Sequence, residues 1–216
     1  MIGPLRIVPL GELALTVGLG TVIDEETHRR VRALAQVLGR RSIDGVHEIC
    51  PAYTTVTLHF DPSRTNFESL EAIVRETLVA PLSPPDEHAG ATHEIPVRYD
   101  GMDLDAVAGR AGLSAREVID RHTRREYQVY LLGFVPGFGY LGPLDPALVI
   151  PRRSAPRPRV PPGSVAIAGA QTGIYPFATP GGWHLIGSTS VRLFDPSRPR
   201  PSLLAVGDRV RFVEFE

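Results

Sequence analysis

The sequence predicts a two-domain α+β protein. Residues 1–80 read as an N-terminal domain of order β-β-α-β-β-α, and residues 92–216 as a mostly β domain, closed as a barrel. Three observations predict this. Two N-terminal stretches carry apolar residues at helical spacing, each after a pair of short strands. Pro81–Ala91 (PLSPPDEHAGA) then interrupts all periodicity and reads as a linker. Beyond it, Gly and Pro recur too densely from Gly133 to Gly187 for a long helix. Yet Phe134, Phe138, Tyr140, Tyr175, Phe177 and Trp183 give that stretch enough aromatic surface to fold.

Each element has a local cause. Leu5–Val8 and Glu12–Val17 are short strands joined near Leu10-Gly11. Asp24 caps a helix whose Val31, Leu34, Ala35 and Leu38 form an i, i+3, i+4, i+7 stripe. Arg29, Arg30, Arg32 and Arg40 fall mainly off that stripe, beside Asp24, Glu25 and Glu26, and read as a solvated face rather than a nucleic-acid patch. Gly45 turns the chain into two strands, Val46–Cys50 and Tyr53–Phe60. Asn66 caps a second helix with Phe67, Leu70, Val74 and Leu78 inward. In the second domain, His93–Tyr99 is a strand and a short helix starts at Asp103. Ser114 to Glu117 forms a capping box ahead of Val118 and Ile119. Glu126–Leu132, Val191–Phe194 and Arg209–Phe215 read as further strands, with a surface turn over Pro196–Pro201.

Composition excludes several kinds of chemistry. All 23 basic residues are arginine, so a lysine-dependent phosphate loop, a lysine Schiff base and a biotinylated lysine on this chain are ruled out. ATP or biotin chemistry would need a P-loop or carrier lysine on another chain. A net charge of −1 gives no polyanion signal. No stretch approaches the ~18–20 apolar residues of a membrane span, and MIGPLRIVPLGE lacks the pattern of a secretory leader. The single cysteine, Cys50, excludes an internal disulfide and fits a reducing, cytoplasmic setting. The seven histidines show no HxH or HExxH spacing, so no metal site is expected. There is no nucleophile elbow and no dinucleotide fingerprint. His122 and His184 read as hydrogen-bonded structural residues.

What remains is Gly133–Gly187. No Asp or Glu lies between Asp145 and Asp195, whereas Arg152, Arg153, Arg157, Arg159 and Arg192 do. Glycines let backbone N–H groups approach a ligand, and arginine offers a planar fork of donors to carboxylate or phosphate. The stretch therefore reads as a site for a small anion.

These residues also carry a resemblance. Gly133-Phe134, Pro136-Gly137-Phe138, Tyr140-Leu141-Gly142, Pro151-Arg152-Arg153, Pro156-Arg157, Arg159-Val160-Pro161 and Gly163-Ser164-Val165 match in order, followed by Gln171-Thr172-Gly173-Ile174-Tyr175-Pro176, Pro180-Gly181-Gly182-Trp183 and Leu185-Ile186-Gly187. Together they resemble the signature of the KipI / allophanate hydrolase subunit 1 family. That family includes the B component of bacterial 5-oxoprolinase and the C/D subdomain of the carboxyltransferase part of urea carboxylase. Weaker matches extend over essentially the whole chain. Gly139, Pro143 and Pro158 depart from the pattern, but no Arg, Gln or Trp of it is lost.

The resemblance implies a cyclophilin-like barrel for the second domain. It implies one component of an ATP-dependent 5-oxoprolinase that opens 5-oxo-L-proline to L-glutamate, inactive alone. The implied partners are the homologous C component and a third lactamase subunit, with ATP and Mg shared with or held by them. Two other functions fit the resemblance: a KipI-type inhibitor of a sensor histidine kinase, and a carboxyltransferase component of a urea carboxylase or allophanate hydrolase system, served by biotin on another chain. With the resemblance in view, Arg153, Arg157 and Arg159 are expected to contact phosphate or carboxylate. Gln171, Thr172 and Tyr175 are expected to position the substrate, and Phe138, Tyr140 and Trp183 to wall the pocket. A partner protein would also favour arginine and aromatics at its interface. No catalytic acid or base is assigned.

Overall fold

The computed structural model describes residues 5–79, 82 and 90–215. The chain divides into two compact units, Met1–His88 and Ala89–Glu216. The expected linker, Pro81–Ala91, lies outside the described residues except for Leu82, Gly90 and Ala91.

The first unit follows its predicted order: β1 (Arg6–Pro9), β2 (Ala14–Gly18), α1 (Glu25–Arg40), β3 (Val46–Pro51), β4 (Thr55–Phe60) and α2 (Phe67–Val79). The strands form an antiparallel sheet in the order β1-β2-β4-β3. Asp24 caps α1 by accepting the Thr27 N–H at 2.7 Å, and Asn66 accepts the Ser69 N–H at 2.9 Å at the start of α2. Alternation divides β4: Val56, Leu58 and Phe60 face a core with Leu15, Val17, Val31, Leu34, Leu38, Leu70 and Val74, while Thr55, Thr57 and His59 face away. Phe67 and Leu78 border this core, partly buried.

The second unit begins with β5 (Thr92–Val97), α3 (Leu104–Ala111), α4 (Ala115–Thr123) and β6 (Glu126–Leu132). Ser114 and Glu117 form the predicted capping box. Sequence periodicity locates no single strand within Gly133–Gly187, yet the structure has six there. They are β7 (Gly139–Gly142), β8 (Arg157–Val160), β9 (Ser164–Ala168), β10 (Gln171–Ile174), β11 (Thr179–Gly181) and β12 (His184–Ser188). With β13 (Arg209–Glu214), seven strands pair in the order β12-β9-β10-β7-β6-β13-β5, and β8 and β11 form a separate ribbon. Arg98 and Ser188 exchange backbone hydrogen bonds of 2.9 and 2.8 Å, joining the two edges of the sheet into a barrel. Val191–Phe194 is not the expected strand: Phe194 makes one isolated bridge, to Ser202. Its apolar residues instead cover the core, with Leu193 buried and Val191 packed beside it.

The core of this unit joins Ile95, Val129, Leu141, Val165, Ile167 and Phe212 to Val107 and Val118 of α3 and α4. Inside it runs a directional hydrogen-bond chain. Thr172 Oγ1 donates to Ala166 O at 3.1 Å, so it accepts from His122 Nε2–H at 2.9 Å. His122 Nδ1 in turn accepts from the Tyr99 hydroxyl at 2.7 Å, and the ring stacks on Phe212. The ring is therefore neutral, and burial pushes its pKa from 6.5 down to about 3. The unfolded chain takes up this proton below pH 6.5 while the folded ring resists to about pH 3. The network's contribution is full above that window and is lost as pH falls through it. In urea titrations, the unfolding free energy of the native chain is expected to fall more steeply below pH 6.5 than that of His122→Asn.

Candidate anion-binding site

The arginine-rich loop is organised by a residue 50 positions upstream of Arg153. Asp103 sits at the start of α3, yet its side chain makes no capping bond. Oδ1 accepts from Arg157 Nη2 at 2.7 Å and from Arg153 Nη1 at 3.2 Å. Oδ2 accepts from the Leu185 N–H at 2.7 Å, and the Asp103 N–H donates back to Leu185 O at 2.9 Å. Burial pushes the Asp103 carboxyl up, but the Arg157 and Leu185 donors, with the charges of Arg157 and Arg153, together hold it below the ordinary 3.8. One carboxylate thus faces two guanidiniums, leaving a local excess of positive charge.

That excess is matched by unused donors. Arg153 Nε and Arg157 Nη1 are buried and have no hydrogen-bond partner among the described residues. Buried polar atoms are almost always paired, so such orphans call for water or a ligand. Nearby, the Arg153 N–H bonds Gly182 O at 2.8 Å, and His184 Nε2 donates to Pro151 O at 3.0 Å, leaving His184 Nδ1 without a partner among the described residues. Arg159 is exposed further along β8, on the side of the strand that carries Arg157.

The aromatic residues gather as one wall. Phe138, Tyr175 and Trp183 are buried and Tyr140 is half-buried. Phe138 meets the edges of Tyr140, Tyr175 and Trp183 at 4.9, 5.3 and 5.5 Å between centroids. Gly173 makes this possible: a Cβ there would lie 3.1 Å from Phe138 and 3.3 Å from Trp183. Arg152 lies over the Trp183 ring at 5.9 Å. Phe134, 58% exposed and at φ 73°, sets its ring edge-on to Phe138 and Tyr175. A bulky residue in the left-handed region is strained, and such strain gathers at binding sites.

The sheet sorts the remaining predicted residues. Alternation in β10 puts Gln171 and Gly173 on the aromatic side, with Tyr175 continuing it, and turns Thr172 the other way. Thr172 is fully buried with its hydroxyl engaged by Ala166 and His122, so the structure places it in the barrel core and not at the site expected for it. Burial raises the pKa of the Tyr175 hydroxyl. The structure therefore brings together Arg153 and Arg157, and separately Phe138, Tyr140, Tyr175 and Trp183. Asp103 is an addition, and Arg152 and Phe134, noted in the stretch without a specific role, join the aromatic wall. Nothing in the sequence links Asp103 to these arginines, because the contact is made only by the tertiary approach of β12.

A four-stranded α+β unit followed in one chain by a seven-stranded barrel unit defines a class. The same fold occurs in K. lactis urea amidolyase at a TM-score of 0.77, with 19% identity, covering 98% of this chain and 15% of that one. The chain belongs to the family "Carboxyltransferase domain, subdomain C and D", which matches residues 5–204. It is 42% identical to the B component of 5-oxoprolinase from Bacillus subtilis (strain 168), over 97% of this chain and 92% of that protein. It also resembles the crystal structure of TTHA0988, at a TM-score of 0.83 and 44% identity over 94% of this chain. The chain spans 40% of the length of that solved protein.

Proposed function

We propose that the chain is the B component of an ATP-dependent 5-oxoprolinase and that its arginine–aspartate site holds an anionic group of the reaction. The observation that carries the anion site is the pair of orphan buried N–H groups on Arg153 and Arg157. Identity of 39–42% over 94–97% of the chain to relatives named as this component of 5-oxoprolinase supports the choice of reaction. In that reading the complete enzyme includes the homologous C component and a third subunit.

The residues fit an anion, carboxylate or phosphate, better than a metal–nucleotide complex. Asp103, the carboxylate at the site, is already bonded to two arginines and a backbone N–H. Mg and most of ATP are therefore assigned to the partner subunits. ATP, where bound in the assembled enzyme, supplies the phosphoryl group that activates the lactam carbonyl. This chain's part is electrostatic. Arg157 and Arg153, fixed by Asp103, present N–H groups that need no reorganisation as negative charge develops. Arg159 offers an exposed fork for the substrate carboxylate. The aromatic group of Phe138, Tyr140 and Trp183 adjoins the arginines through the Arg153 N–H bond to Gly182 O and through Arg152 over Trp183, and Gln171 and Tyr175 share that side of the sheet.

The test is ATP hydrolysis with and without 5-oxoproline, by the chain alone and mixed with the remaining subunits. Substrate-dependent turnover in the mixture, and none from the chain alone, is the expected result. A mixture shown to be assembled but inactive would overturn the reading. Kinase inhibition and biotin-dependent carboxyl transfer would then be assayed.

A further inference from the structure

The geometry points to a metal site on the outer face of the first unit's sheet, formed by Glu48, Cys50 and His59 and suited to Zn²⁺. The ligand atoms of these three side chains all lie within 4.8 Å of one another. None belongs to the arginine–aspartate site.

Strand pairing brings them together. His59 is on β4 and faces away from the core, as Thr57 does. A simple antiparallel register from Val46↔Phe60 would set His47 against His59 and point Glu48 inward beside Leu58. Instead the register shifts after Val46, so that Glu48 pairs with His59, Ile49 with Leu58 and Cys50 with Thr57. Directly opposed residues share a face. The bulge thus turns Glu48 and Cys50 to the outer face and returns Ile49 to the core side. His47, at the bulge, sets its ring 6.3 Å from that of His59. The face is polar elsewhere too, with Thr16 and Thr57 hydroxyls 3.1 Å apart.

The chemistry of the set selects the ion. Thiolate, imidazole and carboxylate together match zinc, with bonds of roughly 2.0–2.3 Å that place tetrahedral ligands about 3.5 Å apart. Rotation of the exposed Glu48 side chain supplies the remaining approach. Three protein ligands leave the fourth position to water, the open form of a zinc site. Glu48 also hydrogen-bonds the Cys50 thiol, so two of the three ligands are already in contact. Binding replaces the S–H proton with an S–metal bond and releases that proton.

Cobalt titration of the metal-free full-length chain tests this. One Co²⁺ per chain is expected, with a thiolate-to-cobalt charge-transfer band and the visible bands of a four-coordinate ion. Cys50 is the chain's one cysteine, so the band reports this site alone. Cys50→Ser should abolish the band, and His59→Gln and Glu48→Gln should each weaken binding by about tenfold or more. Zn²⁺ should also slow alkylation of Cys50 in the unmodified chain, a readout that needs no variant to fold. Absence of the band, one metal per two chains, undiminished affinity in His59→Gln, or no protection of Cys50 would each overturn the proposal.

Discussion

Asp103→Ala is expected to destabilise the second unit by about 3–5 kcal/mol and, under the function proposed above, to abolish 5-oxoproline-dependent turnover in the assembled enzyme. The carboxylate is buried and takes three donors: Arg157, Arg153 and the Leu185 N–H. Removing it leaves the Arg157 guanidinium, whose side chain is 16% exposed, without its counter-charge and the Leu185 N–H without its acceptor. A broken buried pair costs far more than the pair contributes, because the surviving charge stays desolvated. Asp103→Asn keeps the shape and an acceptor and is expected to cost less stability, yet it still loosens the arginines and lowers activity. The check is urea unfolding of both variants beside turnover in the reconstituted complex. Equal stability of Asp103→Ala and the native chain would contradict the packing described above. Because the folded carboxyl titrates below 3.8, this contribution is present above that value and lost as pH falls through the lower, folded pKa.

Gly101→Ala is the second large effect, expected at roughly 3 kcal/mol, with loss of activity. A Cβ at position 101 would lie 2.3 Å from Ile186 C, 2.4 Å from Gly187 N and 2.4 Å from Leu185 O. All three are backbone atoms of β12, so no side chain can turn aside. The Gly101 and Asp103 N–H groups bond Ile186 O and Leu185 O at 3.3 and 2.9 Å, which docks the segment against β12 and aims Asp103 at the arginines. A methyl group at 101 lifts that segment away. Its signature is therefore coupled: stability and turnover fall together although Gly101 has no side chain to offer the reaction. A thermal melt of Gly101→Ala that matches the native chain would refute the close approach.

Locally encoded features were legible in the sequence. The caps at Asp24, Asn66 and the Ser114–Glu117 box lie within a few residues of what they cap, and both long helices follow from them. The six strands of Gly133–Gly187 were not, because they are only 3 to 5 residues long and held by pairing with distant segments. Two consequences follow at the site. Gln171 and Thr172 are adjacent in sequence and equally polar, and only the pleat of β10 separates an outward residue from one in the core. Asp103 reads as an ordinary helix start, and the tertiary approach of β12 converts it into the anchor of two arginines. The Glu48, Cys50 and His59 cluster was hidden for the same reason, since a one-residue bulge decides which face Glu48 occupies.

The most direct test is the rate of 5-oxoproline-dependent ATP hydrolysis by the reconstituted enzyme carrying Arg157→Ala, at saturating ATP. If preorganised N–H groups at this site stabilise charge in the reaction, kcat falls by about 100-fold or more. Assembly with the other subunits, followed by gel filtration, should remain intact. An unchanged kcat in an intact complex would contradict the account and leave the arginine–aspartate site a purely structural feature.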